Sequence, residues 1–253
     1  MNDIFLSVII PSYDEMANLQ KGVLDKVDAF LKKKKTTYEV IIVDDGSKDG
    51  SVKFVQDFIK THKNFRLIEN SHMGKAGAVT SGMLVAKGDY RLFTDMDQAT
   101  PIEQIDTLLP LFESGNDVVV GSRSNKRQGS PFIRLFISRA NMILRKAIVG
   151  LRDIDDTQCG FKMFRGEVAQ VLFTKVKKIH NGFKTISGSN VTAGFDVEIL
   201  FIAEKYGYKI QEVSVPWLYV ETRRVSPVTD SIQGFMELLR IKRNSLSGLY
   251  SKS

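Results

Sequence analysis

The sequence has few of the residues that build disulfide-bonded or zinc-binding proteins. Cys159 is the only cysteine among 253 residues, so no disulfide can form within the chain. A chain so poor in cysteine fits a cytosolic setting better than a secreted one. The three histidines, His62, His72 and His180, are scattered along the sequence, which argues against a zinc site.

Long apolar runs are also absent. No stretch approaches the roughly 18 apolar residues that a membrane-spanning helix needs. The first residues, MNDIFLSVII, carry no basic leader and continue into a predicted core strand, so we expect no signal peptide. With 43% hydrophobic and 26% charged residues, the composition is that of a globular protein, and the length suits one large α/β domain.

Positive charge is concentrated in one segment. The net charge is +7, and residues 121–152 contain eight basic side chains and no acidic one. They are Arg123, Lys126, Arg127, Arg134, Arg139, Arg145, Lys146 and Arg152. Such a segment can attract phosphates, an anionic membrane surface or nucleic acid.

Apolar residues recur at helical spacing across residues 132–151, which predicts an amphipathic helix in the basic segment. Arg134, Arg145 and Arg152 fall together on a different face of that helix. The pattern fits a helix that lies on a membrane or binds phosphates. It equally fits an ordinary packed helix with a basic outer face.

Strand and helix patterns alternate in the first hundred residues. Strands are predicted at 6–10, 38–43, 65–69 and 90–93, with helices at 16–35, 51–61 and 73–86 between them. This order predicts a mainly parallel sheet covered by helices on both faces. Ligands of such sheets bind outside the carboxyl ends of the strands.

The second half is less regular. Helices are predicted at 102–112 and 193–206, and strands at 117–120 and 209–215. Residues 153–164 are predicted to form a polar loop that leads into a short apolar segment. Amphipathic spacing from Asp230 to Tyr250 predicts a last helix. We therefore divide the chain into a domain at 1–228 and a C-terminal amphipathic helix at 229–253 that can contact a membrane surface.

Acidic side chains follow three of the predicted strands, in residues 11–15, at Asp44 and Asp45, and at Asp95 and Asp97. Asp95 and Asp97 are one residue apart, so on an extended backbone they point the same way and repel each other. A divalent cation would remove that repulsion, and oxygen ligands suit Mg²⁺ or Mn²⁺. A solvated turn with two charges is the alternative, but three acidic strand ends at one sheet edge favour a ligand site.

Five segments in this order resemble the family 2 glycosyltransferases: SVIIPSYDEMANL, EVIIVDDGSKDGS, NSHMGKAGAVTSGM, DMDQATP and DVVVGSR. Two later segments, DTQCGFKMF and GFDVEIL, resemble the branch that makes dolichyl- or polyprenyl-phosphate sugars, most of all the dolichyl-phosphate β-glucosyltransferases. The resemblance implies a single-domain GT-A type α/β fold, a sugar-nucleotide donor, and inversion at the anomeric carbon.

The resemblance also implies roles for individual residues. Those matching the family's nucleoside-binding positions are Pro11, Tyr13, Glu15, Asp44 and Asp45, and those matching a turn close to the nucleotide are Gly74 and Lys75. Asp95 and Asp97 match the acidic pair that binds donor and metal, with Asp97 as the direct metal contact. In related enzymes a glutamine two positions further on joins the metal shell, but here that position is Ala99, and Gln98 precedes it.

Basic residues are implied at the phosphates. Arg123 matches a family arginine near them, and Arg139 and Arg223 are candidate contacts to the acceptor phosphate. Arg223 belongs to a segment, 223–226, that occupies the place of a mobile basic loop in the family. Asp196 is expected to organise the site.

The sequence thus predicts a metal-dependent transferase that moves a hexose, with glucose favoured, from a UDP-sugar to a polyprenyl or dolichyl phosphate. A phosphate monoester is largely ionised at neutral pH and needs basic neighbours more than a general base. We expect a peripheral protein on the cytoplasmic face of an anionic membrane, with a separate membrane subunit or a homo-oligomer possible.

Three alternatives remain open. A family 2 transferase acting on a glycan hydroxyl would need a carboxylate base, which Asp196 or Glu198 could supply. A nucleic-acid-binding protein could use the basic segment, but the acidic strand ends would repel a phosphate backbone, so no nucleic-acid partner is expected. A catalytically silent sugar-nucleotide binder is the third, and the intact acidic pair counts against it.

Overall fold

The computed structural model describes residues 3–123, 142–183, 194–218 and 227–252. Their strands form one seven-stranded sheet in the order β3-β2-β1-β4-β6-β5-β7. The strands are β1 (Leu6–Ser12), β2 (Tyr38–Asp44), β3 (Phe65–Glu69), β4 (Tyr90–Thr94), β5 (Val118–Ser122), β6 (Phe161–Arg165) and β7 (Ile210–Ser214). All neighbouring pairs are parallel except those of β6, which runs antiparallel to both β4 and β5. The predicted mainly parallel α/β sheet is confirmed.

The described helices connect these strands. They are α1 (Met16–Gln20), α2 (Val23–Lys32), α3 (Ser51–Phe58), α4 (Gly74–Val85), α5 (Ile105–Leu108), α6 (142–148), α7 (Gly166–Ile179), α8 (Phe195–Lys205) and α9 (Pro227–Leu246). Short 3₁₀ turns at Ile102–Gln104 and Leu109–Phe112 flank α5. Within the described ranges, no helix combines the length and the hydropathy that crossing a bilayer requires.

Alternate residues of the central strands pack into two apolar cores. Ile9 of β1 belongs to the core beneath α4, α7 and α8, whereas Val8 and Ile10 belong to the core beneath α1, α2 and α5. The same alternation occurs along β2. Side chains on an extended strand alternate between faces, so near-continuous apolar strands need helices on both sides.

The predicted helix over residues 16–35 is wrong in one respect, because Gly22 divides it into α1 and α2. Gly22 has a φ of 74°, in the left-handed region that glycine tolerates and that ends a helical run. The predicted helix over residues 102–112 is mostly 3₁₀. Pro110 falls in its last turn and cannot donate a backbone hydrogen bond.

Strand β6 and helix α7 were not predicted. Residues 161–164 are buried on both faces of the sheet. In the sequence they look like the end of a loop, because Lys162 interrupts the apolar run. Lys162 is itself fully buried. A lysine at such a position is rare without a charged partner, and that partner lies in the site.

The prediction of an outward basic face is wrong at Arg145. This residue of α6 is buried, and its guanidinium donates to Thr157 Oγ1 at 3.0 Å, to the Ile154 carbonyl at 3.1 Å and to the Asp155 carbonyl at 2.7 Å. Arg145 therefore fixes the loop that precedes β6. Arg134 and the predicted acceptor contact Arg139 lie outside the described residues.

The C-terminal helix α9 packs on the domain through Leu238 and Ile241, and Tyr250 beyond it is fully buried. These residues join the core that also contains α8. The division of the chain at residue 228 stays a prediction.

Candidate active site

The carboxyl ends of β1, β2 and β4 lie at one edge of the sheet. These strands are parallel neighbours, with Ser12 of β1 opposite Asp44 of β2 and Ile9 of β1 opposite Phe93 of β4. The loops that carry the predicted acidic residues therefore share one edge, as the sequence predicts.

Asp44 builds the loop that follows β2. Its carboxylate accepts the backbone N–H groups of Gly46 and Ser47, both at 2.9 Å, and the Ser47 hydroxyl at 2.5 Å. Asp44 is buried. These bonds give the side chain a clear structural role, and nucleoside binding by Asp44 stays a prediction.

Asp45 joins the loop after β2 to the start of α4. Its carboxylate accepts the backbone N–H groups of Met73 and Gly74, each at 2.7 Å, and lies 3.0 Å from His72 Nδ1. Burial raises the pKa of Asp45, against the lowering effect of these hydrogen bonds and of His72. The Tyr13 ring stacks on His72, with centroids 4.3 Å apart. Asp45 therefore fixes the backbone immediately before Lys75.

The remaining predicted nucleoside-binding residues lie on β1 and the loop after it. Pro11 belongs to β1 and is partly buried. Glu15 donates its backbone N–H to Ser51 Oγ at 3.0 Å and accepts the Asn18 side-chain amide at 2.6 Å. Both residues lie at the predicted sheet edge, and their contact to a nucleoside stays a prediction.

Left-handed backbone conformations occur in three of the loops at this edge. Asp14 after β1 has a φ of 52°, His72 after β3 one of 52°, and Gln98 after β4 one of 49°. Residues with a side chain rarely adopt this conformation, and such strain concentrates at functional sites.

Lys75 pairs with Asp95 of the acidic pair. Lys75 Nζ lies 2.5 Å from Asp95 Oδ1, and the two side chains are 30% and 40% exposed. Burial acts to lower the pKa of Lys75, but the carboxylates of Asp95, Asp196 and Asp97 raise it well above its usual range. Because Lys75 is distant from Asp95 along the chain, the sequence alone did not indicate this neutralising partner.

Asp97 is partly buried, and the pKa of its carboxyl is raised. Its Oδ1 accepts the Ala99 backbone N–H at 3.0 Å. Burial raises the pKa of Asp97 and repulsion from Asp95 adds to this rise, against the lowering effects of Ala99 and Lys75. A partly buried carboxylate whose surroundings disfavour the ionised form is a candidate for function.

The oxygen atoms around the pair suit Mg²⁺ or Mn²⁺. Besides the two carboxylates, Gln98 has a buried side-chain oxygen that has no hydrogen-bond partner among the described residues, while its amide nitrogen donates to Thr94 and to the Asp95 carbonyl. No group of three or more His, Cys, Asp or Glu in the described ranges is arranged to hold a metal. One or two carboxylates plus the substrate's phosphates are the usual ligands of Mg²⁺, so the residues present fit such an ion.

The absence of a side chain at Gly160 leaves room for the Asp95 carboxylate. A Cβ atom at this glycine would lie 2.0 Å from Asp95 Oδ2, far closer than two atoms can approach. Gly160 is thus part of the site, although sequence reasoning missed it. Gly160 and Asp95 line one cavity with Thr94, Ala99, Thr100, Arg123, Gln158, Cys159 and Trp217.

A buried ion pair joins Lys162 of β6 to Asp196 of α8. Lys162 Nζ donates to Asp196 and to the Cys159 carbonyl at 2.6 Å, and it lies 5.1 Å from the centre of the Phe93 ring. Lys162 is the partner that allows Asp196 to be buried as an anion. Asp196 in turn lies close enough to Lys75 to raise the pKa of that residue. Asp196 thus lies within electrostatic range of Lys75, the ammonium that pairs with Asp95.

Arg123 lines the cavity but is held by Asp156. Its guanidinium makes two hydrogen bonds to the Asp156 carboxylate, both of 2.7 Å, and its backbone N–H donates to the same group at 3.0 Å. Burial acts to raise the pKa of Asp156, but the pairing with Arg123 lowers it to about 2. A phosphate contact by Arg123 stays a prediction.

Replacing Asp156 by Asn should lower the free energy of unfolding at pH 7 by about 2 kcal/mol, because a carboxylate whose pKa falls on folding stabilises the folded state. That contribution is present above about pH 4 and is lost as the pH falls toward about 2. Urea unfolding of both proteins at pH 7, 4, 3 and 2.5 should therefore show a gap that narrows with acidification. An equal difference in unfolding free energy at all four pH values would contradict the lowered pKa of Asp156.

Glu198 lies in a different cluster from Asp196. This fully buried carboxylate accepts His180 Nε2 at 2.6 Å and the Tyr250 hydroxyl at 2.5 Å. Burial acts to raise the pKa of Glu198, but the hydrogen bonds from His180 and Tyr250 lower it below its usual range. The group is thus a structural link between α7, α8 and the C-terminal segment.

We expect Glu198→Gln to destabilise the fold by about 3 kcal/mol, since it leaves buried hydrogen-bond donors without a charged acceptor. Activity per folded molecule should change by less than about fivefold, because Glu198 lies in a different cluster from Asp196. For scale, a tenfold change in rate corresponds to about 1.4 kcal/mol at the transition state. Glu204→Gln, at an exposed position of the same helix, is the matched control and should leave both quantities unchanged. Complete loss of turnover in folded Glu198→Gln would instead identify a general base.

The comparison with known proteins decides the family. A model of the glycosyl transferase family 2 domain matches residues 7–173. The chain belongs to glycosyl transferase family 2. The resemblance predicted from the five sequence segments is therefore confirmed, and a glycosyltransferase is the protein's class of enzyme.

The transferase is similar along nearly its whole length to dolichyl-phosphate β-glucosyltransferases. It is 33% identical to the one from Dictyostelium discoideum over 99% of this chain and 77% of the relative. The corresponding human protein is 30% identical over 97% of this chain and 77% of the relative. The predicted branch of the family is confirmed by these relatives.

Two solved structures confirm the GT-A type fold of the transferase. Mannosyl-3-phosphoglycerate synthase from Rubrobacter xylanophilus has a TM-score of 0.64 at 16% identity, covering 98% of this chain and 76% of the other. Glucosyl-3-phosphoglycerate synthase from Mycobacterium tuberculosis, solved with Mn²⁺, UDP and glucosyl-3-phosphoglycerate, has a TM-score of 0.60 at 17% identity, covering 95% and 80%. At these identities the likeness concerns the fold alone.

The transferase brings most of the predicted site residues to one sheet edge. Arg223 lies outside the described residues, as does Arg139. Sequence reasoning missed His72, Asp156 and Lys162, which contact Asp45, Arg123 and Asp196, and Gly160, which leaves room for Asp95. The buried lysine in the apolar segment GFKMF was the one signal in the sequence that could have indicated a charged partner.

Proposed function

We propose that this transferase moves glucose from UDP-glucose to the phosphate of dolichol or a related polyprenol, with inversion at the anomeric carbon and with a divalent cation. Relatives of about 30% identity that carry the name dolichyl-phosphate β-glucosyltransferase support the substrates. Mn²⁺ and UDP in the glucosyl-3-phosphoglycerate synthase of similar fold support the cation and the nucleotide.

The observation that carries the choice of acceptor is the pairing of Asp196 with Lys162. A hydroxyl acceptor needs a carboxylate base to take its proton, and a carboxylate already paired with an ammonium is a poor one, whereas an ionised phosphate needs no base. Of the two carboxylates considered for that task, Asp196 is paired through Oδ1 with the buried Lys162 ammonium, and Glu198 accepts a hydrogen bond at each oxygen in a separate cluster. A phosphate acceptor therefore suits this site better than a hydroxyl acceptor.

The chemistry requires charge stabilisation on the leaving side. Breaking the bond between sugar and diphosphate leaves negative charge on the departing nucleotide. Asp95 and Asp97 would hold the cation that neutralises part of this charge. Lys75 contributes a further positive charge, and its position in the first turn of α4 keeps it near the acidic pair.

A panel of donors tests the proposal. Purified protein with Mn²⁺ and polyprenyl phosphate should transfer sugar from UDP-glucose at least tenfold faster than from UDP-galactose, UDP-N-acetylglucosamine or GDP-mannose. Excess EDTA should abolish the reaction, and added Mn²⁺ should restore it. Failure of all donors, or transfer to a glycan hydroxyl instead of the lipid phosphate, would refute the proposal.

We also propose that α9 contacts an anionic membrane surface, which would place the enzyme peripherally on the cytoplasmic face, where a lipid acceptor is accessible. Exposed apolar residues of the C-terminal segment are Phe235, Met236, Leu239, Leu246 and Leu249. Lys242 and Arg243 on the same helix are exposed as well. Apolar area together with positive charge is what interfacial helices use.

Substitution tests this surface better than truncation, because Leu238, Ile241 and Tyr250 are buried and their removal would open the core. Met236→Ser with Leu246→Ser should lower flotation with liposomes that contain phosphatidylserine by at least fivefold. Val85→Ser, at a 44% exposed position on α4, is the matched control and should float like the unmodified protein. Equal flotation of all three proteins would remove α9 from the membrane contact.

A further inference from the structure

The backbone at Lys75 is held in place, and its side chain carries a positive charge to Asp95. Its backbone follows directly on Met73 and Gly74, whose N–H groups are both held by Asp45. Its ammonium lies 2.5 Å from Asp95 Oδ1. The helix start therefore delivers one positive charge to the oxygen atoms that a divalent cation would use.

Among the basic side chains that the structure describes, no other one shares this position. In the ranges that the structure describes, Lys75 is the one basic side chain within 4.0 Å of a carboxylate oxygen of Asp95 or Asp97. Arg123, which lines the same cavity, has its guanidinium on Asp156. Lys75 thus neutralises Asp95 from within the chain, before any ligand binds.

An ammonium and a divalent cation cannot share Asp95 without strong repulsion. Charges of +1 and +2 a few ångströms apart repel by several kcal/mol at the effective dielectric of a protein surface. Binding of the cation must therefore include the cost of moving Lys75 away. The displaced ammonium remains tethered at the site, where the nearest new anion is the diphosphate of the donor.

We propose that Lys75 is a resident counter-ion of Asp95, which a divalent cation displaces and which then binds the diphosphate of the nucleotide donor. This inference rests on the proposed function, because it assumes a nucleotide-diphosphate donor. It makes cation and nucleotide bind cooperatively, since each favours the state in which Lys75 has left Asp95. Such coupling is reciprocal between the two ligands.

Removal of the ammonium should therefore change two affinities in opposite directions. Lys75→Met should bind Mn²⁺ about five to ten times more tightly than the unmodified protein, because the competing charge is gone. The same variant should bind UDP in the presence of saturating Mn²⁺ at least ten times more weakly. If Lys75 had a merely structural role, its substitution would weaken the binding of both ligands together.

The experiment measures binding without turnover. Free Mn²⁺ is counted by electron paramagnetic resonance during titration of the protein alone, and UDP and GDP affinities are measured by calorimetry in Mn²⁺. Lys21→Met is the matched control, because Lys21 is exposed and acts on Asp97 only through its charge. Its Mn²⁺ affinity should change by less than twofold. Thermal melts of each variant confirm that it is folded.

The outcomes are distinct. Mn²⁺ affinity that is unchanged or weaker in Lys75→Met overturns the proposal, and so does nucleotide affinity that is unchanged. An equal gain in Lys21→Met also overturns it, because the effect would then be general charge and not displacement. Absence of glucose transfer together with the expected binding results would refute the proposed function and leave the role of Lys75 standing.

Discussion

Asp97→Ala should reduce glucose transfer by at least about a thousandfold, the size expected when a group that stabilises leaving-group charge is lost. The thermal midpoint should not fall, because burial and repulsion from Asp95 already disfavour the ionised Asp97. Loss of activity without loss of stability is the property of a residue kept for function. Steady-state kinetics with UDP-glucose and polyprenyl phosphate, beside a thermal melt, measure both.

The control for Asp97 is another aspartate that lies outside the site. Asp106 of α5 is exposed and pairs with Lys34, so Asp106→Ala should keep activity within about twofold. Asp97→Asn should fail like Asp97→Ala, since an amide lacks the charge that a cation requires. An active Asp97→Asn variant would show that the charge of Asp97 is not needed.

Gly160→Ala should have the second largest effect, a loss of roughly a hundredfold in kcat/KM, because misplacement of a reacting group by about 1 Å costs about this much. The new Cβ would fall 2.0 Å from Asp95 Oδ2 and would push that carboxylate out of place. A carboxylate tip can turn aside at little cost, so the thermal midpoint should fall by no more than a few degrees.

Gly234→Ala supplies the comparison for Gly160, because a Cβ at Gly234 would meet no atom of the described residues within 4 Å. Activity should be unchanged in that variant. If Gly160→Ala kept full activity, the position of Asp95 in the structure would not be the one that catalysis uses.

Local patterns were sufficient to predict the part of the fold that forms the site. Strands β1, β2 and β4 are apolar runs of adequate length, each followed by polar residues, and alternation with helices implies that they are parallel. Parallel neighbours place their carboxyl ends at one edge, so the meeting of the Asp45 loop and the Asp95 loop followed from the pattern.

Contacts across the sheet could not be predicted in this way. Lys162 interrupts the apolar pattern of β6, and its partner Asp196 is far along the chain, so the strand reads as a loop. Lys75 and Asp95 likewise meet only because α4 starts beside β4's end. Arg145 looks like an outward charge by helical periodicity, yet it points inward to bind the carbonyl groups of residues 154 and 155. Such pairings depend on tertiary structure, which periodicity does not contain.

The choice of a phosphate as the acceptor is the central claim, and one assay tests it directly. The enzyme is incubated with radiolabelled UDP-glucose, Mn²⁺ and either polyprenyl phosphate or the matching unphosphorylated polyprenol, and the label in the lipid phase is counted. We predict lipid-bound glucose with the phosphate alone, at a rate at least a hundredfold above that with the alcohol. Comparable labelling of the alcohol, or no labelling of the phosphate, would contradict this account of the site.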